Sequence, residues 1–92
     1  MDIQKYEVLL KAVQYGSFSK VAQAMDYTQS AITHIIHGIE KEWGVKIFDR
    51  NYAGVTLTAE GRQILPLIQA AYDAGRQVGN KRLAALREFL KD

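Results

Sequence analysis

The sequence has no cysteine, a single proline and no apolar run of transmembrane length. Without cysteine there is neither a disulfide framework nor a thiolate metal site. The opening stretch, MDIQKYEVLLK, is charged and amphipathic and does not read as a signal peptide. A cytoplasmic protein with no membrane association is therefore expected. An excess of one charge is also missing. Residues 1–57 hold six basic groups (Lys5, Lys11, Lys20, Lys41, Lys46, Arg50) and six acidic ones (Asp2, Glu7, Asp26, Glu40, Glu42, Asp49), and the whole chain reaches only +2. Net charge alone does not announce a nucleic-acid partner. Any phosphate contact must come from a few placed cations, hydroxyls and backbone amides. No nucleophile–base–carboxylate set, phosphate-binding glycine loop or cofactor motif is visible, so the chain is not read as an enzyme and no cofactor is expected. No internal repeat or low-complexity segment interrupts it. Ninety-two residues, 48% of them hydrophobic, make one small domain, or one domain with an extension.

What is present is helical periodicity. Ile3, Tyr6, Leu9, Leu10 and Val13 form one stripe over residues 2–15, with Asp2 suited to the start and Gly16 to a left-handed stop. Ser17 is placed to cap a second helix, in which Phe18, Val21, Ala22 and Met25 share a face. Asp26 and Tyr27 break that pattern, and Thr28 is placed to cap a third helix ended by Gly44. The third helix is split by face. Ile32, Ile35, Ile36, Ile39 and Trp43 make the apolar stripe, opposite Gln29, Ser30, Thr33, His34, His37 and Lys41. A solvated face usually carries many charges; this one carries a single full charge, which suits the edges of DNA bases. Two helices joined by a short turn, the second capped and bifacial, make a helix-turn-helix pattern over residues 18–37.

Val45, Ile47 and Phe48, then Val55 and Leu57, flank a polar loop of residues 50–54 and predict a β-hairpin, a wing beside the third helix. Thr58 caps a fourth helix with Glu60 in its first turn. It can run to about residue 90, on the order of 50 Å, with Pro66 kinking it or disturbing one backbone bond. Its seam includes Ile64, Leu65, Ile68, Ala71, Tyr72, Gly75, Val78, Gly79, Leu83, Leu86 and Leu90. A helix longer than its small domain needs a cover, and the simplest is the same helix of a second chain. The expected fold is mainly α: a winged helix-turn-helix (three helices plus a short β-hairpin wing) over residues 1–57, then a linker or dimerisation helix over residues 58–92.

Gly16-Ser17-Phe18-Ser19, Ala22, Thr28 to Thr33, Ile39-Glu40, Gly44, Phe48-Asp49-Arg50 and Leu57 to Gly61 together resemble the N-terminal DNA-binding domain of LysR-type transcriptional regulators. The match covers residues 2–70 with its spacings preserved. It implies dimeric binding to double-stranded DNA, control of transcription, and antiparallel pairing of two subunits through the 58–90 helix, possible higher oligomers being a matter for a full-length protein. It also implies a larger effector-binding domain that this chain lacks. The chain departs from the family pattern at Ser30, often proline, at Ala53, often basic, and at the histidines that replace basic residues on the third helix.

With the usual docking of such a helix, Gln29, Ser30, Thr33, His34 and His37 are the candidates for base contact, Ser30 reaching either a base edge or a phosphate, and Ser17, Thr28 and Arg50 are the candidates for phosphate contact. Gln29 can donate and accept at adenine, and Thr33 offers a hydroxyl and a methyl. Ser17 and Thr28 can serve as caps and phosphate ligands together, since a helix N-terminus attracts anions. The alternative for Arg50 is a structural role, paired with Asp49 or with a helix end. Dimerisation is expected at Ile68, Ala71, Tyr72, Gly75, Val78, Leu83 and Leu86. His34 and His37, with Glu40 one turn on, are not read as a metal site, because two histidines without a third strong ligand are common by chance. Trp43, Phe18 and Phe48 are read as core, and Tyr27 and Tyr52 as exposed near the DNA face. The competing function is a helix-turn-helix fold used as a protein-interaction module, which the zero net charge of residues 1–57 favours.

Overall fold

The computed structural model describes the backbone of residues 3–90 and the side chains of residues 3–75. Asp2, and the side chains of Val78, Leu83, Leu86 and Leu90, lie outside the described residues. The order is α1 (Ile3–Tyr15), α2 (Phe18–Met25), α3 (Gln29–Trp43), β1 (Phe48–Asn51), β2 (Gly54–Leu57) and α4 (Ala59–Leu90).

The helix ends follow local chemistry. Ser17 is extended, and its hydroxyl accepts the Lys20 amide at 3.2 Å. Thr28 does the same for the Ala31 amide at 3.1 Å, so each short helix starts on an oxygen that satisfies an orphan donor. Gly16 and Gly44 end α1 and α3 with φ of +65° and +72°. Between α2 and α3 the left-handed position falls on Asp26, at φ +59°, one of the few non-glycine types that visit this region routinely.

The core is mostly aliphatic, with Tyr6, Phe18 and Phe48 buried in it. Leu9, Val8, Val21, Ile32, Ile36, Ile39, Ile47 and Ile68 are its largest fully buried side chains. Burying each stabilises the fold by about 1.5–3 kcal/mol against leaving it exposed. The stripes of α2 and α3 lie as predicted, with Met25, Ile35 and Trp43 half-buried at their margins. The α1 stripe was drawn too narrow. Val8 and Ala12 are buried while Ile3, Leu10 and Val13 are only half-buried, because α1 is packed by α2, α3, α4 and β2 together.

The wing is tighter than its sequence implied. β1 and β2 pair antiparallel, with Phe48 opposite Leu57 and Asn51 opposite Gly54. Arg50, Asn51 and Gly54 therefore belong to strands, and only Tyr52 and Ala53 form the loop. The Asn51 side chain closes this tip by accepting the Ala53 amide at 2.9 Å. Val45 and Ile47 precede the hairpin instead of pairing within it.

α4 begins on the segment before the wing. The Thr58 amide donates to the Ile47 carbonyl at 2.9 Å, its hydroxyl donates to the Lys46 carbonyl, and its oxygen accepts the Gly61 amide at 2.9 Å. Gly61 faces the Ile47 backbone so closely that a Cβ would overlap the carbonyl. Helix α4 continues through Pro66, which leaves the Arg62 carbonyl without its usual helical donor. One expectation needs correcting here. Ile68 is completely buried in the core of its own chain, against α1, and so is removed from any surface that a second chain could reach. The core thus extends past Leu57. Ala71 and Tyr72 are half-buried at its edge, Gly75 is buried, and Leu67 is exposed on α4. Among the described residues no helix is long and apolar enough to cross a membrane.

Candidate nucleic-acid interface

Helix α3 buries Ile32, Ile36 and Ile39, which turns the opposite arc outward. Gln29, Ser30, Thr33, His34 and His37 lie on that arc, all exposed except the half-buried Thr33. With Arg50 of the wing they line one open groove of about 560 Å³. The five residues assigned to base contact are thus brought together. No carboxylate lines the groove, and Arg50 brings a cation into it. Hydroxyls, an amide and imidazoles can each both donate and accept, and this mixture suits base edges, which present both kinds of partner.

The three residues assigned to phosphate separate. Ser17 and Thr28 stand at the starts of α2 and α3, where their oxygens accept backbone amides. Both hydroxyls thus stand at the positive ends of the two helices, where anions are favoured. Arg50 is placed otherwise. Its Nη2 donates to Thr33 Oγ1 at 2.7 Å, and its guanidinium lies 4.7 Å from the centre of the Phe18 ring. It is not paired with Asp49, which accepts Lys46 at 3.6 Å. Phe18 is buried as predicted, yet it has a second role: its ring meets Phe48 edge-on at 5.5 Å and carries Arg50. Phe48 and Arg50 are two apart on β1, which puts them on one face of the strand.

Glu40 contributes what sequence reasoning missed. One of its carboxylate oxygens accepts the amides of Ile47 and Phe48 at 2.7 and 3.2 Å. This ties the end of α3 to the start of the wing. Among the described residues no three His, Cys, Asp or Glu side chains could hold a metal ion. Tyr52 is fully exposed at the wing tip, and Tyr27 is 40% exposed in the turn before α3.

Known proteins resemble this chain in sequence and fold. The family described as bacterial regulatory helix-turn-helix protein, lysR family, matches residues 3–62. The HTH-type transcriptional regulator SoxR of Arthrobacter sp. (strain TE1826) is 37% identical over 65 residues, 71% of this chain and 22% of that protein. YfiE of Escherichia coli (strain K12), an uncharacterized HTH-type transcriptional regulator, is 34% identical over 88 residues, 96% of this chain and 29% of that one. The chain therefore spans under a third of the length of these curated relatives. Among solved structures, the protein in the CbnR_DBD–DNA complex superposes with a TM-score of 0.76 at 26% identity, covering 92% of this chain and 99% of that one. A family match over residues 3–62 takes in both capped helices, the groove and the wing, and with it the chain belongs to the lysR family of bacterial regulatory helix-turn-helix proteins.

Proposed function

We propose that the chain is the sequence-reading and pairing part of a transcription regulator, with α3 in the major groove of double-stranded DNA and the wing alongside. The observation that carries this reading is the groove itself: Gln29, Ser30, Thr33, His34 and His37 converge with Arg50 where no carboxylate intrudes. The similar CbnR_DBD chain is bound to DNA in its crystal structure, which supports the same partner here. In this docking Gln29, Ser30, Thr33, His34 and His37 meet base edges, while Ser17 and Thr28 hold phosphates at two helix starts.

Two copies pair through α4. Leu67, 58% exposed on α4, is an apolar side chain that a second chain would cover. Ala71, Tyr72 and Gly75 lie further along the same helix, and Val78, Leu83 and Leu86 extend the pairing beyond them. Pairing matters because residues 1–57 carry no net charge to add affinity. Two weak groove contacts then act together.

Selection of bound sites from random DNA tests the reading. Two half-sites separated by whole helical turns, with affinity that falls steeply as salt rises, are the expected result. Binding to DNA without sequence preference, or none at all, would favour the protein-interaction reading that the zero net charge of residues 1–57 supports. On the selected site, Gln29→Ala is expected to lower discrimination at one base pair by roughly 1–3 kcal/mol. Equal weakening on specific and random DNA would remove Gln29 from the base-reading set.

A further inference from the structure

Arg50 has the wrong surroundings for a residue whose work is to hold a phosphate. A phosphate ligand on a wing gains from being free to swing toward the backbone. This guanidinium is instead held on two sides, over the Phe18 ring at 4.7 Å from its centre and bonded through Nη2 to Thr33 Oγ1 at 2.7 Å. Phe18 cannot give way, because it is 4% exposed and wedged edge-on against Phe48. Asp49 does not draw Arg50 aside either, since it accepts Lys46. The platform, the cation and the hydroxyl come from α2, β1 and α3, so the contact also fixes the wing against the reading helix.

The bond has a direction, and the direction has a consequence. A threonine hydroxyl carries one proton and two lone pairs, and left alone it can donate or accept. Arg50 can only donate. It therefore occupies an acceptor position on Thr33 Oγ1, and its positive charge further weakens that oxygen as an acceptor. One lone pair and the proton remain, and with the cation beside the oxygen the proton is the stronger of the two to offer. Resting on the DNA reading proposed above, we infer that Arg50 is a specificity-determining positioning residue: by binding Thr33 Oγ1 it presents Thr33 to the groove as a hydrogen-bond donor. Thr33 then selects acceptors on base edges, the purine N7, guanine O6 and thymine O4, over the amino groups of adenine and cytosine.

The experiment uses the 92-residue chain, its selected site and single-base variants of that site. Arg50→Lys keeps the charge but loses the planar fork that stacks and bonds at once. Thr33→Val keeps the shape and removes the hydroxyl. In Arg50→Lys, discrimination at the base pair beneath Thr33 is expected to fall about tenfold, while the salt dependence of binding stays unchanged. Thr33→Val is expected to lose the same discrimination at the same base pair, and the double variant no more than either alone. Thermal midpoints separate these effects from unfolding, and Thr33→Val on the helix surface still reports if Arg50→Lys is unstable. A phosphate role predicts something else: Arg50→Ala would weaken all sequences alike and lower the salt slope by about 0.9, and Arg50→Lys would discriminate as the wild type does. That outcome, or full additivity of the two single variants, overturns the inference while leaving the DNA reading standing. A wild-type chain with no sequence preference overturns both.

Discussion

Replacing Glu40 with alanine is expected to cost about 2–4 kcal/mol of stability, although Glu40 belongs to neither the groove nor the hydrophobic core. One carboxylate oxygen accepts two backbone amides, Ile47 at 2.7 Å and Phe48 at 3.2 Å, in a part-buried setting. Hydrogen bonds to a charged acceptor contribute about 1.5–3 kcal/mol each, and the two share one oxygen, which lowers their sum. Losing the side chain strands both donors where the strand and the last turn of α3 leave them no alternative partner. Glu40→Gln retains a carbonyl oxygen at the same place and should return to within about 1 kcal/mol of the wild type. Urea denaturation with an unchanged slope is the measurement. The functional consequence follows from what the two amides hold. Ile47 supports the first turn of α4 through its carbonyl, and Phe48 begins the strand that carries Arg50. Glu40→Ala should therefore weaken DNA binding and, by loosening the strand that holds Arg50 on Thr33, also lower discrimination at the base pair beneath Thr33. A loss below about 0.5 kcal/mol, the range of an ordinary surface substitution, would show that the amides find other partners.

The same contact marks where sequence reasoning stopped. Ser17, Thr28, Gly16 and Gly44 were legible because a cap is decided within three or four residues of itself. The outward polar face of α3 was legible for the same reason: once Ile32, Ile36 and Ile39 are assigned inward, helical geometry places Gln29, Thr33, His34 and His37 outward. Glu40 enters the sequence reading only within the family resemblance and beside two histidines, since nothing periodic links a carboxylate to amides seven and eight residues on. Thr33 and Arg50 are separated by 17 residues. Their pairing depends on how the wing leans over α3, which no local rule encodes. Arg50 thus read as a loop residue for a phosphate or for Asp49, when it is a strand residue over Phe18 and bonded to Thr33. Ile68 failed differently. Its place in the α4 seam was right, but the seam begins inside the domain, and the helix must bury its first turns at home before it can offer a face to a second chain. The signal that could have found this was the missing cover for α1, whose Val8 and Ala12 lie off the predicted stripe.

Gly54→Ala should be the most damaging single change in the wing, with an expected loss of about 2–6 kcal/mol. Two costs combine. Gly54 has a φ of +137°, a region that side chains rarely enter, and strain of this kind costs about 1–3 kcal/mol. A Cβ on Gly54 would also overlap the carbonyl oxygen of Gly16, and forcing an atom into occupied space costs a further ~1–3 kcal/mol. Neither element can simply retreat. The Gly16 carbonyl accepts the Val55 amide at 3.0 Å, Gly16 ends α1, and Val55 is buried. The wing is thus pinned at two ends, to α3 through Glu40 and to the α1–α2 turn through Gly16. For a domain of this size the midpoint of thermal unfolding should drop by roughly 4–8 °C per kcal/mol, and Ala53→Gly, at the exposed loop position beside it, should leave the midpoint within a few degrees. If Gly54→Ala stays folded but shifts the wing away from Gly16, the strain is relieved at the cost of geometry. DNA affinity should then fall further than stability does, because Tyr52, Ala53 and the Arg50 strand would no longer stand at the distance from α3 that Glu40 and Gly16 set. A variant that matches the wild type in both midpoint and affinity would show that the Gly16–Val55 contact does not position the wing.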